Sequence, residues 1–134
     1  MSVAFTEDAV RERRKTVTRR KGWWEDKRGR RLVAPGDRLT LCRKVMGRKK
    51  GEPLVRLAEV EVVEVTREPL RWLSSLSSEY LPNWAAREME REGFPGLPSD
   101  EFLGRYFIDA QGMSEHDMVT RIEWRYIEEA SPDA

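Results

Sequence analysis

The clearest periodic signal lies between Leu54 and Thr66. Val60 and Val62 fall on one face with Glu59 and Glu61 on the other, and Val63 and Val65 then continue the apolar series one residue out of phase. Alternation with a period of two marks a strand, and a one-residue slip marks a β-bulge that restores the inward face and bends the chain. The pattern predicts a bent strand with a bulge near Val62 and Val63, a shape suited to closing a barrel. Pro69 ends this run. Met118 to Ile127 reads as a closing strand, with Met118, Ile122, Trp124 and Tyr126 alternating against Arg121, Glu123 and Arg125. Pro35-Gly36-Asp37 is a turn that delivers the chain into a third strand, Arg38 to Val45, with Leu39 and Leu41 inward.

Helical spacing appears elsewhere. Asn83 and Gly93 bracket a helix over Trp84 to Glu92, and Ser99 caps another in which Phe102, Leu103, Tyr106, Phe107 and Ala110 form an apolar stripe. Thr6, followed by Glu7 and Asp8, caps a short helix running to about Arg14, after which Lys15-Thr16-Val17-Thr18 turns β-branched. The segment from Lys21 to Arg31 is too charged and aperiodic for a core element. The predicted fold class is α+β.

The chain of 134 residues fits one domain of ordinary size, with a core that needs no staple. No repeat or linker divides it, so residues 1–129 are expected to form a single domain and residues 130–134 a disordered tail. Cys42 is the lone cysteine and can form no internal disulfide, which suits a reducing compartment; a cytoplasmic location is the expectation. No apolar run approaches the roughly 20 residues of a membrane span, and the N-terminus lacks the order of a signal peptide.

Charge changes the picture. The net charge is only +1, but residues 1–56 hold 18 Lys and Arg against 7 Asp and Glu, while residues 57–134 hold 7 against 17. Arg11 to Arg31 is the densest stretch, with 11 basic and 3 acidic residues, and Arg43, Lys44, Arg48, Lys49 and Lys50 form a second cluster. Such a split makes the basic half a candidate footprint for a polyanion. Arg19 and Arg20 offer planar donor forks for phosphate or base edges, and Lys15 a compact cation. Trp23 and Trp24, set among arginines, suit a base-stacking surface. The candidate nucleic-acid contacts are therefore Lys15, Arg19, Arg20, Lys21, Trp23, Trp24, Arg43 and Lys44. Trp72, Trp84 and Trp124 lie in apolar patterns and are assigned to the core.

Several chemistries find no motif. His116 is the single histidine, and Glu115 and Asp117 beside it lack the spacing of a zinc site, so no metal is expected. No Gly-rich phosphate loop, GxSxG elbow, HExxH or dinucleotide fingerprint occurs, so no cofactor is expected.

The run Arg13-Arg14-Lys15-Thr16-Val17-Thr18-Arg19-Arg20 resembles the signature of the ASCH family, in which a glycine, a lysine two residues on, a Glu or Thr three further and an arginine two beyond recur in order. Lys15, Thr18 and Arg20 match; the glycine position is Arg13. Leu32 to Leu41, Glu92-Gly93-Phe94-Pro95, Glu101-Phe102 and the closing strand extend the likeness over most of residues 5–127, and the chain is similar to small ASCH proteins common in bacteriophage genomes. The resemblance implies a small PUA-like β-barrel with short flanking helices, and a nucleic-acid-binding protein that holds RNA or a modified nucleotide in a basic cleft, with DNA as an alternative ligand.

A branch of the family with Thr in the signature hydrolyses the acetyl group of N4-acetylcytidine with a lysine, that threonine and a downstream glutamate. Carried over by motif, these are Lys15, Thr18 and Glu92. Amidohydrolase is accordingly the alternative function, and a protein-interaction factor a third; RNA cleavage, linked to some relatives, would have to proceed without a histidine pair. Two physical conditions attach to the enzyme reading. Threonine needs a base, and lysine is one only if its pKa is lowered, whereas a neighbouring Glu92 favours the charged form. Residues three apart share one side of a helix but lie on opposite faces of a strand, so Lys15 and Thr18 cooperate only if the chain changes from helix to strand between them.

Overall fold

The computed structural model describes residues 1–22, 24–45, 47–75 and 83–127. A 3-10 turn at Ala4–Thr6 leads into α1 (Glu7–Arg11), followed by β1 (Val17–Lys21), β2 (Arg38–Cys42), β3 (Arg56–Pro69), α2 (Trp72–Ser75), α3 (Trp84–Glu92), α4 (Ser99–Leu103), a π-helical continuation over Gly104–Asp109, and β4 (Met118–Tyr126). The strands form one antiparallel sheet in the order β1-β4-β3-β2. The expected bulge is present: Val62 pairs with Trp124 and Glu64 with Glu123, which leaves Val63 unpaired and 42% exposed. Val60, Val62 and Val65 consequently all point into the core.

The sheet is not closed into a barrel. β1 and β2, each five residues long, occupy its two edges and do not pair with each other. The N-terminal segment lies between them instead. Ser2 bridges Cys42 of β2 in parallel, and the Arg20 Nη2 of β1 donates to the Ser2 carbonyl at 2.7 Å. The gap between the edges is thus filled by the N-terminal segment, bridged to β2 through its backbone and held to β1 by the Arg20 side chain.

Both sheet faces are covered. On one, Val3, Val10 and Val33 pack against Leu41, Val60, Val62, Val65, Ile122 and Trp124. On the other, Leu70, Leu73, Met89, Phe102, Leu103, Phe107 and Met113 gather round Val119. Trp124 is buried as its pattern predicts and Trp84 packs on the second cluster, but Trp72 is 36% exposed. Strand β2 stops at Cys42 rather than Val45. The expected tail, residues 130–134, lies outside the described residues.

The first helix departs instructively from expectation. Thr6 is buried in the preceding turn and its hydroxyl makes no cap. The helix ends at Arg11, and Arg13 just beyond adopts the left-handed conformation, φ 60°, with the amides of Arg14 and Lys15 both donating to the Ala9 carbonyl. This is a helix C-terminus of the kind glycine normally completes. This chain meets that turn with an arginine, at a φ where glycine carries no Cβ penalty. Arg13→Gly is expected to raise stability by about 0.5–1 kcal/mol, read as a higher denaturant midpoint with unchanged slope; a lower midpoint would show that the contact of Arg13 with the Tyr126 ring, 5.5 Å away, outweighs the strain.

Gly93 ends α3 in the same conformation, φ 94°. A Cβ here would lie 3.0 Å from Ala9 Cβ and 3.1 Å from Thr6 Cγ2, so the absence of a side chain lets α3 close against the N-terminal turn and α1. That approach sets the position of Glu92, the residue before it.

Candidate functional site

Lys15 sits between α1 and β1, after the turn at Arg13 and before the strand begins at Val17. Thr18 and Arg20 follow on β1. Because Lys15 precedes the strand, it escapes the strict alternation, and Lys15 and Thr18 line the same cavity. The helix-to-strand change that the spacing requires is there.

The cavity has a volume of about 430 Å³. It runs along the outer edge of β1, with the Ser2–Thr6 segment on one side and Glu92, Phe94, Phe102, Tyr106 and Phe107 on the other. Tyr106 stacks at 5.1 Å from Phe94 and 5.6 Å from Phe5, whose ring is 81% exposed. Aromatic rings thus face the cavity from both sides, and Lys15, Thr18, Arg19 and Arg20 bring the polar groups from the β1 side.

Lys15 is 3% exposed, and its Nζ donates to the Glu92 carbonyl at 2.6 Å and to Glu92 Oε2 at 3.3 Å. Its own carbonyl accepts from Trp124 Nε1 at 3.0 Å and from the Tyr126 hydroxyl at 2.5 Å, which fixes the backbone that carries it. Burial lowers the Lys15 pKa from its ordinary value; Glu92 opposes the shift, and Arg20 and Arg19 add to it. Thr18 is 4% exposed, and no hydrogen bond holds its hydroxyl among the described residues.

Arg19 has a different place from the one its sequence context suggests. Its side chain is fully buried, and its donors go to Glu68 Oε1 at 2.6 Å, Glu92 Oε1 at 3.0 Å and Glu88 Oε1. Burial opposes the guanidinium charge, but Glu92, Glu68 and Glu88 outweigh it and raise the pKa. Arg121, directly opposite Arg19 in the register, shares Glu88 through Nε at 2.7 Å, and Arg91 reaches Glu88 at 2.9 Å. Two like charges paired across strands repel, and Glu88 between them offsets that repulsion. Arg20 is also largely buried, which lowers its pKa against the opposing charge of Glu92; no carboxylate lies within ion-pair distance of it among the described residues, and its Nε is buried without a partner.

Glu88 accepts four of these bonds. Its burial favours protonation, but Arg121 and Arg19 prevail and hold its pKa at about 2 against an ordinary value of 4.5. A depressed carboxylate stabilises the fold above its unfolded pKa, and that contribution disappears as pH falls through the folded value. Stability is therefore expected to drop between about pH 4.5 and 2, by on the order of 3 kcal/mol from this group, checked by urea titrations across that range with Glu88→Gln as reference. Equal acid sensitivity in the two proteins would move the effect elsewhere.

The other candidates from the sequence lie away from the cavity. Lys21 is exposed at the end of β1, and Trp24 is half-buried against the first core cluster. Arg43 is exposed and bonded to Glu7 at 2.7 Å, which holds the Glu7 carboxyl at about 2. Lys44 lies 3.9 Å from Glu52. Trp23 falls outside the described residues. Glu68, Glu88, Arg121, Phe5 and Tyr106 escaped the sequence reading. The one available signal was the i, i+4 spacing of Glu88 and Glu92, which puts two carboxylates on one helix face.

Among the described residues no helix is long and apolar enough to cross a membrane. No protein-family model matches the chain, and no curated protein matches it. Among solved structures, protein EF3133 from Enterococcus faecalis V583, described as DUF984, is similar with a TM-score of 0.59 over 92% of this chain and 70% of its own, at 13% identity. An ASCH domain from Lactobacillus crispatus JV V101 aligns with a TM-score of 0.44 over 94% of this chain and 75% of its own, at 11% identity. The first likeness is one of fold.

Proposed function

We propose that this protein hydrolyses an amide on a modified cytosine nucleoside, free or within RNA, with Thr18 as nucleophile, Lys15 as base and Glu92 as the residue that orients the base. The observation that carries this reading is the meeting, on one cavity, of a buried lysine with lowered pKa and a threonine whose hydroxyl has no hydrogen bond among the described residues, backed by Glu92. A neutral lysine amine has two N–H bonds and one lone pair. Glu92 offers acceptors for both N–H bonds, leaving the lone pair free for the Thr18 proton. Glu92 also shares its charge with Arg19, which weakens its tendency to keep Lys15 protonated.

In the proposed reaction Thr18 Oγ attacks the acyl carbonyl carbon while its proton passes to Lys15 Nζ. The carbon–N4 bond breaks, and N4 leaves as the cytidine amine after taking that proton. Water then attacks the threonine ester, Lys15 again accepts and returns a proton, and the carboxylic acid departs. The aromatic rings of Phe94, Tyr106 and Phe5 suit a planar base, and a cavity of about 430 Å³ suits a nucleoside.

A second reading, nucleic-acid binding without turnover, is supported by the basic N-terminal half. It places contacts at Arg20 and Lys21, since the Arg19 fork is fully occupied by carboxylates. Incubation with N4-acetylcytidine, followed chromatographically, separates the two. Conversion to cytidine supports the hydrolase; binding without conversion supports the module, and its affinity should then fall steeply with salt.

A further inference from the structure

We infer that Arg20 is a catalytic residue whose guanidinium holds the acyl oxygen of the substrate as negative charge develops on it. The inference rests on the hydrolase reading above. Three cations line the cavity at Lys15, Arg19 and Arg20. Lys15 is matched by Glu92, and Arg19 by three carboxylates. Arg20 feels the charge of Glu92 but has no carboxylate within ion-pair distance among the described residues; Nη2 donates to the Ser2 carbonyl at 2.7 Å, and Nε is the single buried side-chain nitrogen or oxygen left without a partner there.

A buried donor without an acceptor is costly, and a charged one costs more. A guanidinium stays protonated even where burial disfavours it, so it cannot escape that cost by losing its charge. The fold therefore keeps a donor in reserve at the wall of a cavity. Such a donor becomes useful when an oxygen there turns negative, because it is oriented beforehand and shielded from water.

Position along β1 indicates which oxygen. Thr18 and Arg20 are two residues apart on one strand, so their side chains leave the same face about 6–7 Å apart at the backbone. A carbonyl carbon bonded to Thr18 Oγ has its oxygen within reach of a side chain as long as arginine at that spacing. When the C=O double bond opens on attack, its electron pair moves to the oxygen and faces Arg20; it returns when the carbon–N4 bond breaks.

The test compares wild type with Arg20→Met in steady-state hydrolysis of N4-acetylcytidine. The expected result is a fall in kcat of about 10²–10³ with KM changed less than threefold, and partial recovery of an Arg20→Ala variant on addition of millimolar guanidinium. A raised KM at constant kcat would overturn the assignment, since it describes a group that binds phosphate or the base equally in ground and transition states. If Arg20→Met does not fold, Arg20→Lys replaces it: a kcat at least tenfold lower supports the role, and parity with wild type overturns it. Wild type without any turnover sinks the hydrolase reading and this one with it, whereas an active wild type and an equally active Arg20→Met sink this one alone.

Discussion

Replacing Arg19 with methionine is expected to lower folding stability by about 3–5 kcal/mol. The guanidinium is fully buried and bonded to Glu68, Glu88 and Glu92, each of them at most 6% exposed. Methionine fills a similar volume but removes the cation that the three carboxylates share: Glu88 keeps Arg121 and Arg91 and Glu92 keeps Lys15, while Glu68 is left without an ion-pair partner among the described residues. It would have to protonate, admit water or rearrange. For a domain of this size the loss is a large fraction of the usual 5–15 kcal/mol, and the thermal midpoint should fall by about 10 °C or more. The acid side provides a check on cause. Near pH 4 protonation begins to neutralise that carboxylate in the variant, so the gap to wild type should narrow there and widen at pH 7. A loss below about 1 kcal/mol at pH 7, or a gap independent of pH, would count against the buried network.

The second large effect concerns turnover. Thr18→Ala and Lys15→Ala are each expected to reduce kcat for N4-acetylcytidine by about 10³ or more, because nucleophile and base act as a unit. The two variants should differ in stability. Among the described residues the Thr18 hydroxyl makes no hydrogen bond, so Thr18→Ala should cost less than about 1.5 kcal/mol. Lys15→Ala removes a buried stem and its bonds to Glu92, and should cost more. In wild type the neutral fraction of Lys15 grows as pH rises through its pKa, so activity should climb with pH, at values below the ordinary lysine range because burial lowers that pKa. Full activity in Thr18→Ala would remove threonine from the mechanism, and a flat pH profile would remove Lys15 as base.

Much of the fold was legible because it depends on neighbours in sequence. The out-of-phase valines announced the bulge at Val63, and the alternation from Met118 announced β4. Asn83 and Gly93 bracketed α3 at its observed bounds, and Gly93, in the left-handed conformation, ends the helix whatever packs around it. The signature placed Lys15, Thr18 and Arg20 together because a short segment carries all three past one turn. The barrel was not legible in the same way. Bent strands permit closure, but closure needs the two edge strands to meet, and here the N-terminal segment stands between them.

The roles of the cations divide on the same line. The sequence by itself determined that a basic segment would run from a helix into a strand, with Lys15 at the junction and Thr18 and Arg20 on one strand face. Which of these charges have counter-ions is a matter of packing. Arg19 and Arg20 are adjacent in the chain, yet alternation sends one toward Glu68, Glu88 and Glu92 and the other toward the Ser2 carbonyl. Glu92 lies 77 residues from Lys15 in the chain and reaches it because Gly93 lets α3 close on Thr6 and Ala9. A charge is read from composition, but its availability depends on counter-ions brought from distant segments, and those are set by packing.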